Sequence, residues 1–332
     1  MSRCADGSLL MAFYFPQYHF APENIMQFRA YGLAPEVTDW YTDWDVIKSG
    51  DRTLRSFTPK KYYDLANADV MDEQDDSAHV WGIGVFIFYH YWLDNSMVLN
   101  LPLDIYIAKK RKTKFVLCWD NESGYLGKQL YDHPEKHAYQ LVRYFLSENY
   151  LTDIHGRKPF IIYLTPELDQ NYLAKFIEYL QKFGIELSIG HNYQAYKNDW
   201  KLPDWSEIAS EFGPHFEGGP TRENLYTYSI RDPTTERSGW ANDKQYWQGA
   251  ITSWDSRPRC SSGRTHQNTS ACVGMVSPQG FGEQIRQIKS NFHPLNRDKI
   301  ITIFAWNEWA EGAALEESME HGVEFLRQLC FN

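Results

Sequence analysis

Several familiar signatures are missing from this sequence. Its five cysteines, Cys4, Cys118, Cys260, Cys272 and Cys330, are odd in number, widely spaced and without a C-x-x-C pair. That argues against a disulfide scaffold, a zinc ribbon or a dithiol redox motif and fits a reducing compartment. Cys260, His266 and Cys272 share one segment, but no fourth ligand stands at conventional spacing, so no metal is expected there. The apolar run Leu9 to Phe15 is too short for a secretory signal, and nothing approaches the roughly 18 apolar residues of a membrane span. The expectation is a soluble, cytoplasmic protein.

Positive charge is also scarce. Lys and Arg total 33 against 43 Asp and Glu, a net charge of −10 that argues against nucleic acid or an anionic membrane as partner. The longest basic run, Lys109-Lys110-Arg111-Lys112, reads as the solvated end of a helix. No glycine-rich phosphate loop, internal repeat, low-complexity tract or composition break is present, so residues 1–332 read as one domain.

Aromatic residues, by contrast, are abundant: 12 Trp, 22 Tyr and 19 Phe. Such rings build a large core, and they also stack on sugar C–H faces while their polar tips hydrogen-bond. Short apolar runs alternate with amphipathic stretches, the pattern of βα units around a parallel sheet. Eight runs read as strands: Leu9–Phe15, Gly84–Tyr89, Lys114–Trp119, Pro159–Leu164, Glu186–Gly190, Glu207–Phe212, Gly249–Trp254 and Lys299–Trp306. Their continuous hydrophobicity suits burial on both faces, and the class expected is α/β, a single (β/α)8 TIM barrel with long βα loops. One helix is expected after an N-cap at Thr165 with Pro166 at its first position, carrying Leu173, Phe176, Ile177 and Leu180 and closing at Gly184. Two further stripes are Phe281, Ile285 and Ile288, then Met319, Val323 and Leu326. Residues 16–63 and 213–248 show no regular element and read as site loops.

In such a barrel the working groups stand where strands end and βα loops begin. Those positions are polar or aromatic throughout. The candidates for substrate binding are Tyr14, Gln17, His19, Asp43, Trp44, His90, Tyr91, Trp92, Trp119, Asn121, Glu122, His191, Trp254, Asp255, Trp306, Asn307 and Trp309. A single histidine at a strand end is more often structural than functional. Together the set describes a pocket with aromatic walls and several acids, which is what making or breaking a glycosidic bond requires: one carboxyl to protonate the leaving oxygen, another to take a proton or support charge at the anomeric carbon. Glu308 and Glu311 are the candidate catalytic pair, three residues apart and able to converge if the chain leaves its strand in a turn. The competing reading is an exposed acidic turn opening the last helix.

The motifs Tyr14-Phe15-Pro16-Gln17-Tyr18-His19, Tyr41-Thr42-Asp43-Trp44, Tyr63-Asp64-Leu65, Gly82 to Trp92, Leu117-Cys118-Trp119-Asp120-Asn121-Glu122, Trp254 to Arg259 and Trp306-Asn307-Glu308-Trp309-Ala310-Glu311-Gly312 together resemble the WbsX family, in order from about residue 11 to 327. Members of that family resemble glycoside hydrolase family 99. The WbsX family is labelled as glycosyltransferases of bacterial surface-polysaccharide clusters (O-antigen, lipopolysaccharide, capsule), and the related hydrolases are retaining endo-acting α-mannoside enzymes on (β/α)8 barrels. The resemblance implies that Glu308 deprotonates a sugar 2-hydroxyl, leading to a 1,2-anhydro sugar, and that Glu311 is the general acid and then base. It implies an oligosaccharide or polysaccharide substrate and no cofactor. Three positions depart from the family pattern: Asp120 replaces Ala and adds a carboxylate beside the pocket, Asp43 replaces Glu, and Glu317 replaces Pro. Within enzymes the rival is glycosyl transfer, for which Asp43-Trp44-Asp45 offers an Asp-x-Asp without its usual strand context. A carbohydrate-binding protein without catalysis is the other alternative.

Overall fold

The computed structural model describes residues 3–21, 42, 44, 57–123, 126–163, 168–193, 203–211, 244–255, 273–274 and 276–330. Asp43, Asp45, Thr165, Pro166 and the Cys260 to Cys272 segment lie outside the described residues.

The described elements run β1 (Leu9–Tyr14), α1 (Ala68–Val80), β2 (Ile83–Leu93), β3 (Ser96–Val98), α2 (Leu101–Ile107), β4 (Lys114–Asp120), α3 (Pro134–Phe145), β5 (Lys158–Ile162), α4 (Gln170–Gln181), β6 (Leu187–Tyr193), β7 (Ile208–Glu211) and β8 (Gln245–Ile251). They continue with β9 (Trp254–Asp255), β10 (Val273–Gly274), α5 (Pro278–Ser290), β11 (Ile300–Phe304), β12 (Asn307–Glu308), β13 (Ala313–Ala314) and α6 (Glu324–Cys330). The strands order as β1-β11-β8-β7-β6-β5-β4-β2, and β1 also pairs with β2, closing an eight-stranded parallel barrel. The small β3 adds antiparallel to the end of β2. All eight expected strands are present, shifted at their ends by a few residues; the longest shift starts β8 at Gln245 rather than Gly249. The fold is a (β/α)8 barrel.

The helices form where the chain supplies stops and caps. Asn67 accepts from the Asp69 amide to start α1, and Ser277 accepts from the Gly280 amide ahead of Pro278 in α5. The α4 helix begins later than expected: Asp169, not Thr165, is the N-cap, accepting from the Asn171 and Tyr172 amides. A carboxylate outcompetes an upstream hydroxyl because it takes both amides and complements the helix dipole. The stripe that includes Met319 is also corrected. Met319 is exposed in a turn, and α6 starts only at Glu324. The basic run after α2 is not wholly solvated either. Arg111 is buried, ion-paired with Asp72 and donating to the Tyr106 and Ile105 carbonyls at 2.9 and 3.0 Å.

Strand alternation decides which side chains fill the lumen and which meet the helices. On β1, Tyr14 points outward and donates to Gln74 of α1 at 2.6 Å, so Met11 and Phe13 point inward. Phe13 packs on Tyr89 and Phe304 at 6.0 and 6.1 Å between ring centroids, and Phe15 stacks on Tyr89 at 4.3 Å. On β4, Trp119 packs outward on His137 of α3 and Phe176 of α4, which leaves Cys118 and Asp120 facing in. On β6, a Cβ at Gly190 would meet Ile161 and Ile208, so this face also points inward, and with it Asn192.

Candidate active site

The candidate motif that holds Glu308 and Glu311 is built on the chain leaving β11. The Phe304-Ala305 peptide is cis, Trp306 N donates to Phe13 O at 2.7 Å, and Asn307 then grips the end of β1 with both ends of its amide. Its Oδ1 accepts from Phe15 N at 2.8 Å and its Nδ2 donates to Phe15 O at 3.0 Å. A side chain thus extends the β1–β11 pairing beyond the last backbone bond. Asn307 and Glu308 pair with Ala314 and Ala313, and Trp309–Glu311 between them form a single 3₁₀ turn. The hydroxyl oxygen of Tyr18 accepts from both Trp309 N and Ala310 N, at 2.9 and 3.3 Å, capping the amides that open this turn. Gly312 ends it at φ +63°, where a Cβ would also stand 2.9 Å from that of Asp255. The glycine therefore lets the turn close onto the end of the seventh barrel strand. Glu308 is fully buried and Glu311 partly exposed, both carried at the C-terminal rim of the barrel.

Behind this turn lies a second carboxylate. Glu316 accepts from Trp309 Nε1 at 2.9 Å, Tyr63 Oη at 2.7 Å and Gln74 Nε2 at 2.6 Å. Gln74 in turn accepts from Tyr14, while Trp44 packs on Tyr18 at 4.1 Å and donates to Tyr63 O at 2.5 Å. Burial pushes the Glu316 carboxyl up despite these donors. A cavity of about 200 Å³ opens beside it, lined by Trp306, Trp309, Tyr63, Gln74 and Val70 among others.

The expected substrate-binding residues therefore divide. Gln17, whose Nε2 donates to Tyr91 Oη at 3.1 Å, Tyr91 itself, Trp254 stacked on Phe304 at 5.4 Å, and buried Asp255 gather at the barrel mouth. Tyr14, Trp44, Trp306 and Trp309 face the opposite way, into the layer between barrel and α1. His90, Trp92 and Trp119 lie in the helix layer around α3. His90 Nε2 meets His137 Nε2 at 2.8 Å, and Trp92 stacks on His137 at 4.7 Å. Burial pushes His90 down to about 3 and His137 well below its ordinary value, so both rings are neutral and one donates to the other. His191 likewise faces outward and bonds Ser206 at 2.6 Å. Three consecutive strand residues such as His90, Tyr91 and Trp92 cannot share one face, and only Tyr91 has the lumen parity. His19 holds its own turn by donating from Nδ1 to Pro16 O at 2.7 Å, and Asn121 donates to Tyr131 Oη at 3.0 Å. Exposed Glu122 gives its backbone N–H to Asp120 Oδ1 at 3.1 Å. Asn307 is committed to the β1 backbone, as described.

Sequence reasoning passed over Tyr89, Tyr163 and Ser210 and named Asn192 only within the polar strand end His191-Asn192-Tyr193, although all four have lumen parity near the strand ends. It noted Asp120 only as a departure. Tyr163 approaches Tyr89 at 5.9 Å. Asp120 keeps some accessible surface yet is crowded on every other side, and burial pushes its carboxyl up to about 7 with Glu122 adding repulsion. Period-two counting from Tyr91 would have found Tyr89, and the same counting on the other strands the rest.

The glycosyltransferase WbsX family matches residues 10–329. Two curated relatives, both uncharacterised WxcX proteins from strains of Xanthomonas campestris pv. campestris, are 27% identical over 361 residues, covering 96% of this chain and 48% of theirs. The chain thus spans about half the length of the curated relatives it matches. Among solved structures, a glycoside hydrolase-like protein superposes with a TM-score of 0.63 at 14% identity, covering 97% of this chain and 92% of that one. The GH99 endo-α-mannosidase from Bacteroides thetaiotaomicron superposes at 0.59 and 14% identity, covering 95% and 89%. With the motif on the eighth strand, the barrel that carries it and the match along nearly its whole length, the chain belongs to the WbsX glycosyltransferase family.

Proposed function

We propose that this carbohydrate-active chain acts on glycosidic bonds of an oligosaccharide or polysaccharide in the manner of a glycosidase, with Glu308 and Glu311 as the reacting carboxyls. The observation that carries the reading is their placement: two glutamates on one clamped turn at the C-terminal rim of the barrel, one wholly buried and one reaching solvent. That asymmetry suits two roles. Buried Glu308 takes the proton of a sugar 2-hydroxyl as O2 attacks the anomeric carbon, while Glu311 protonates the departing glycosidic oxygen. Water then opens the 1,2-anhydro ring, giving its proton to Glu311 as O2 recovers one from Glu308. Tyr18, Asn307 and Gly312 hold the turn in register and touch no reacting atom.

Transfer to a second sugar is the other reading, favoured by the family's own description as glycosyltransferases. A role in bacterial surface-polysaccharide assembly in the cytoplasm would follow from it. The two differ in what accepts the sugar, water or a hydroxyl.

Glu311→Gln keeps the shape of the side chain and removes the transferable proton, so turnover should fall by roughly 10²–10⁴ with sugar binding nearly unchanged. Full activity in that variant overturns the assignment. Parallel incubations with α-linked oligosaccharides and with nucleotide sugars plus acceptors, with and without chelator, separate the readings: loss of a nucleotide sugar that depends on metal and acceptor favours transfer.

A further inference from the structure

The lumen ends of β6 and β7 hold polar groups that have no hydrogen-bond partner among the described residues. Asn192 is fully buried at the end of β6, yet neither its amide oxygen nor its amide nitrogen has a hydrogen-bond partner. Ser210, its register neighbour on β7, is equally buried with an unpartnered hydroxyl. Both point into the lumen, on the face fixed by Gly190 and Ile208. Buried polar atoms are nearly always paired, and leaving three unpaired in one place costs stability that a ligand would restore. Two strands from Asn192, Asp120 carries a carboxyl that, among the described residues, has Glu122 N as its hydrogen-bond donor and no cation beside it. Its surroundings are Tyr89, Tyr91 and Cys118. Two strand spacings, roughly 9–10 Å, separate Asp120 from Asn192, the width of a sugar ring with its substituents, and Tyr163 follows the strand between in the same register row as a wall for the ring.

We infer that Asp120, Asn192 and Ser210 form a subsite for an aminosugar residue, its ammonium against Asp120 and its ring hydroxyls on Asn192 and Ser210. The inference rests on the carbohydrate reading above and names the substrate class. Three features select an ammonium over a hydroxyl or an acetamide at Asp120. The carboxylate is desolvated without a counter-charge, the neighbouring Glu122 adds negative potential, and a charge-assisted hydrogen bond is about twice as strong as a neutral one. An acetamido group would bring bulk and no charge. Asn192 and Ser210 offer donors and acceptors together, the pattern that hydroxyl pairs satisfy.

The test is equilibrium binding by calorimetry to the Glu311→Gln chain, using methyl glycosides of a hexosamine, the matching N-acetylhexosamine and the matching hexose, with the amine placed at C2, C3 or C4. One hexosamine glycoside should bind about tenfold more tightly than its neutral counterparts. Asp120→Asn, and Asp120→Ala as a second variant, should reduce that preference to within about twofold, and Asn192→Ala should weaken all three glycosides alike. Equal affinity for the three, or a preference that survives both Asp120 substitutions, overturns the inference and leaves the carbohydrate reading standing. Binding of none of these, nor of any α-linked oligosaccharide, removes both.

Discussion

Two polar clusters are buried at the same end of this barrel, one on either side of the sheet, and they differ in completeness. Outside the sheet, Glu316 takes hydrogen bonds from Trp309, Tyr63 and Gln74, and Gln74 takes one from Tyr14. Inside it, among the described residues, Asn192 and Ser210 have no hydrogen-bond partner and Asp120 has one backbone amide. A polar group that the fold needs is satisfied by the fold. A cluster of polar groups left unpaired at the barrel mouth is a candidate contact for a ligand. The outer cluster backs the turn that carries Glu308 and Glu311, and the inner one lines the lumen at the ends of β4, β6 and β7.

The largest effect that separates them is on stability. Glu316→Leu strands three donors at once, so it should lower unfolding free energy by about 3–5 kcal/mol, read as a lower denaturant midpoint at unchanged slope. A loss under about 1 kcal/mol would mean the outer network is incidental. The next effect is in pH dependence. A carboxyl raised to about 7 in the fold binds its proton more tightly than in the unfolded chain, where it titrates near the ordinary 3.8. Stability from Asp120 is thus greatest below about 4 and falls as pH rises to about 7. Relative to Asp120→Asn, the parent chain should lose on the order of 1–2 kcal/mol across that window, allowing for the water that reaches the group. Chemical denaturation at several pH values reads the difference, and a parallel pair of curves would contradict it. His90 works oppositely: depressed to about 3, it withdraws stability as pH falls below about 6.5, so the comparison must be made between the two chains at each pH. The smallest effect belongs to Asn192. Asn192→Ala removes a side chain that bonds nothing, and should change unliganded stability by no more than about 0.5–1 kcal/mol. A loss like that of Glu316→Leu would erase the contrast.

The barrel itself was legible because its first four strands read as continuous apolar runs, which suits burial on both faces, and apolar and amphipathic stretches alternate along the chain. The candidate turn stood out in the sequence because two glutamates and two tryptophans stand within six residues, Trp306 to Glu311. What the linear reading did not resolve was side. At β2 it offered His90, Tyr91 and Trp92 together, although a strand turns only alternate residues to one face. The same uncertainty placed Trp119 and His191 in the pocket while naming Asn192 only as part of a strand end. Aromatic abundance misled for a related reason: rings that suit a sugar also suit a helix–sheet interface, and Trp92 and Trp119 are spent on His137. Polar satisfaction is invisible in sequence, since it depends on who stands opposite.

The amide of Asn307 joins residues 292 positions apart, and through it the last barrel strand grips the first. A ribosome must deliver all eight barrel strands before that grip can form. Until then the rim is open between its first and last staves, and the glutamates have no fixed place to stand. With Glu308 and Glu311 in the proposed roles, activity should appear only once the eighth strand is made, and a chain cut short before it should show none.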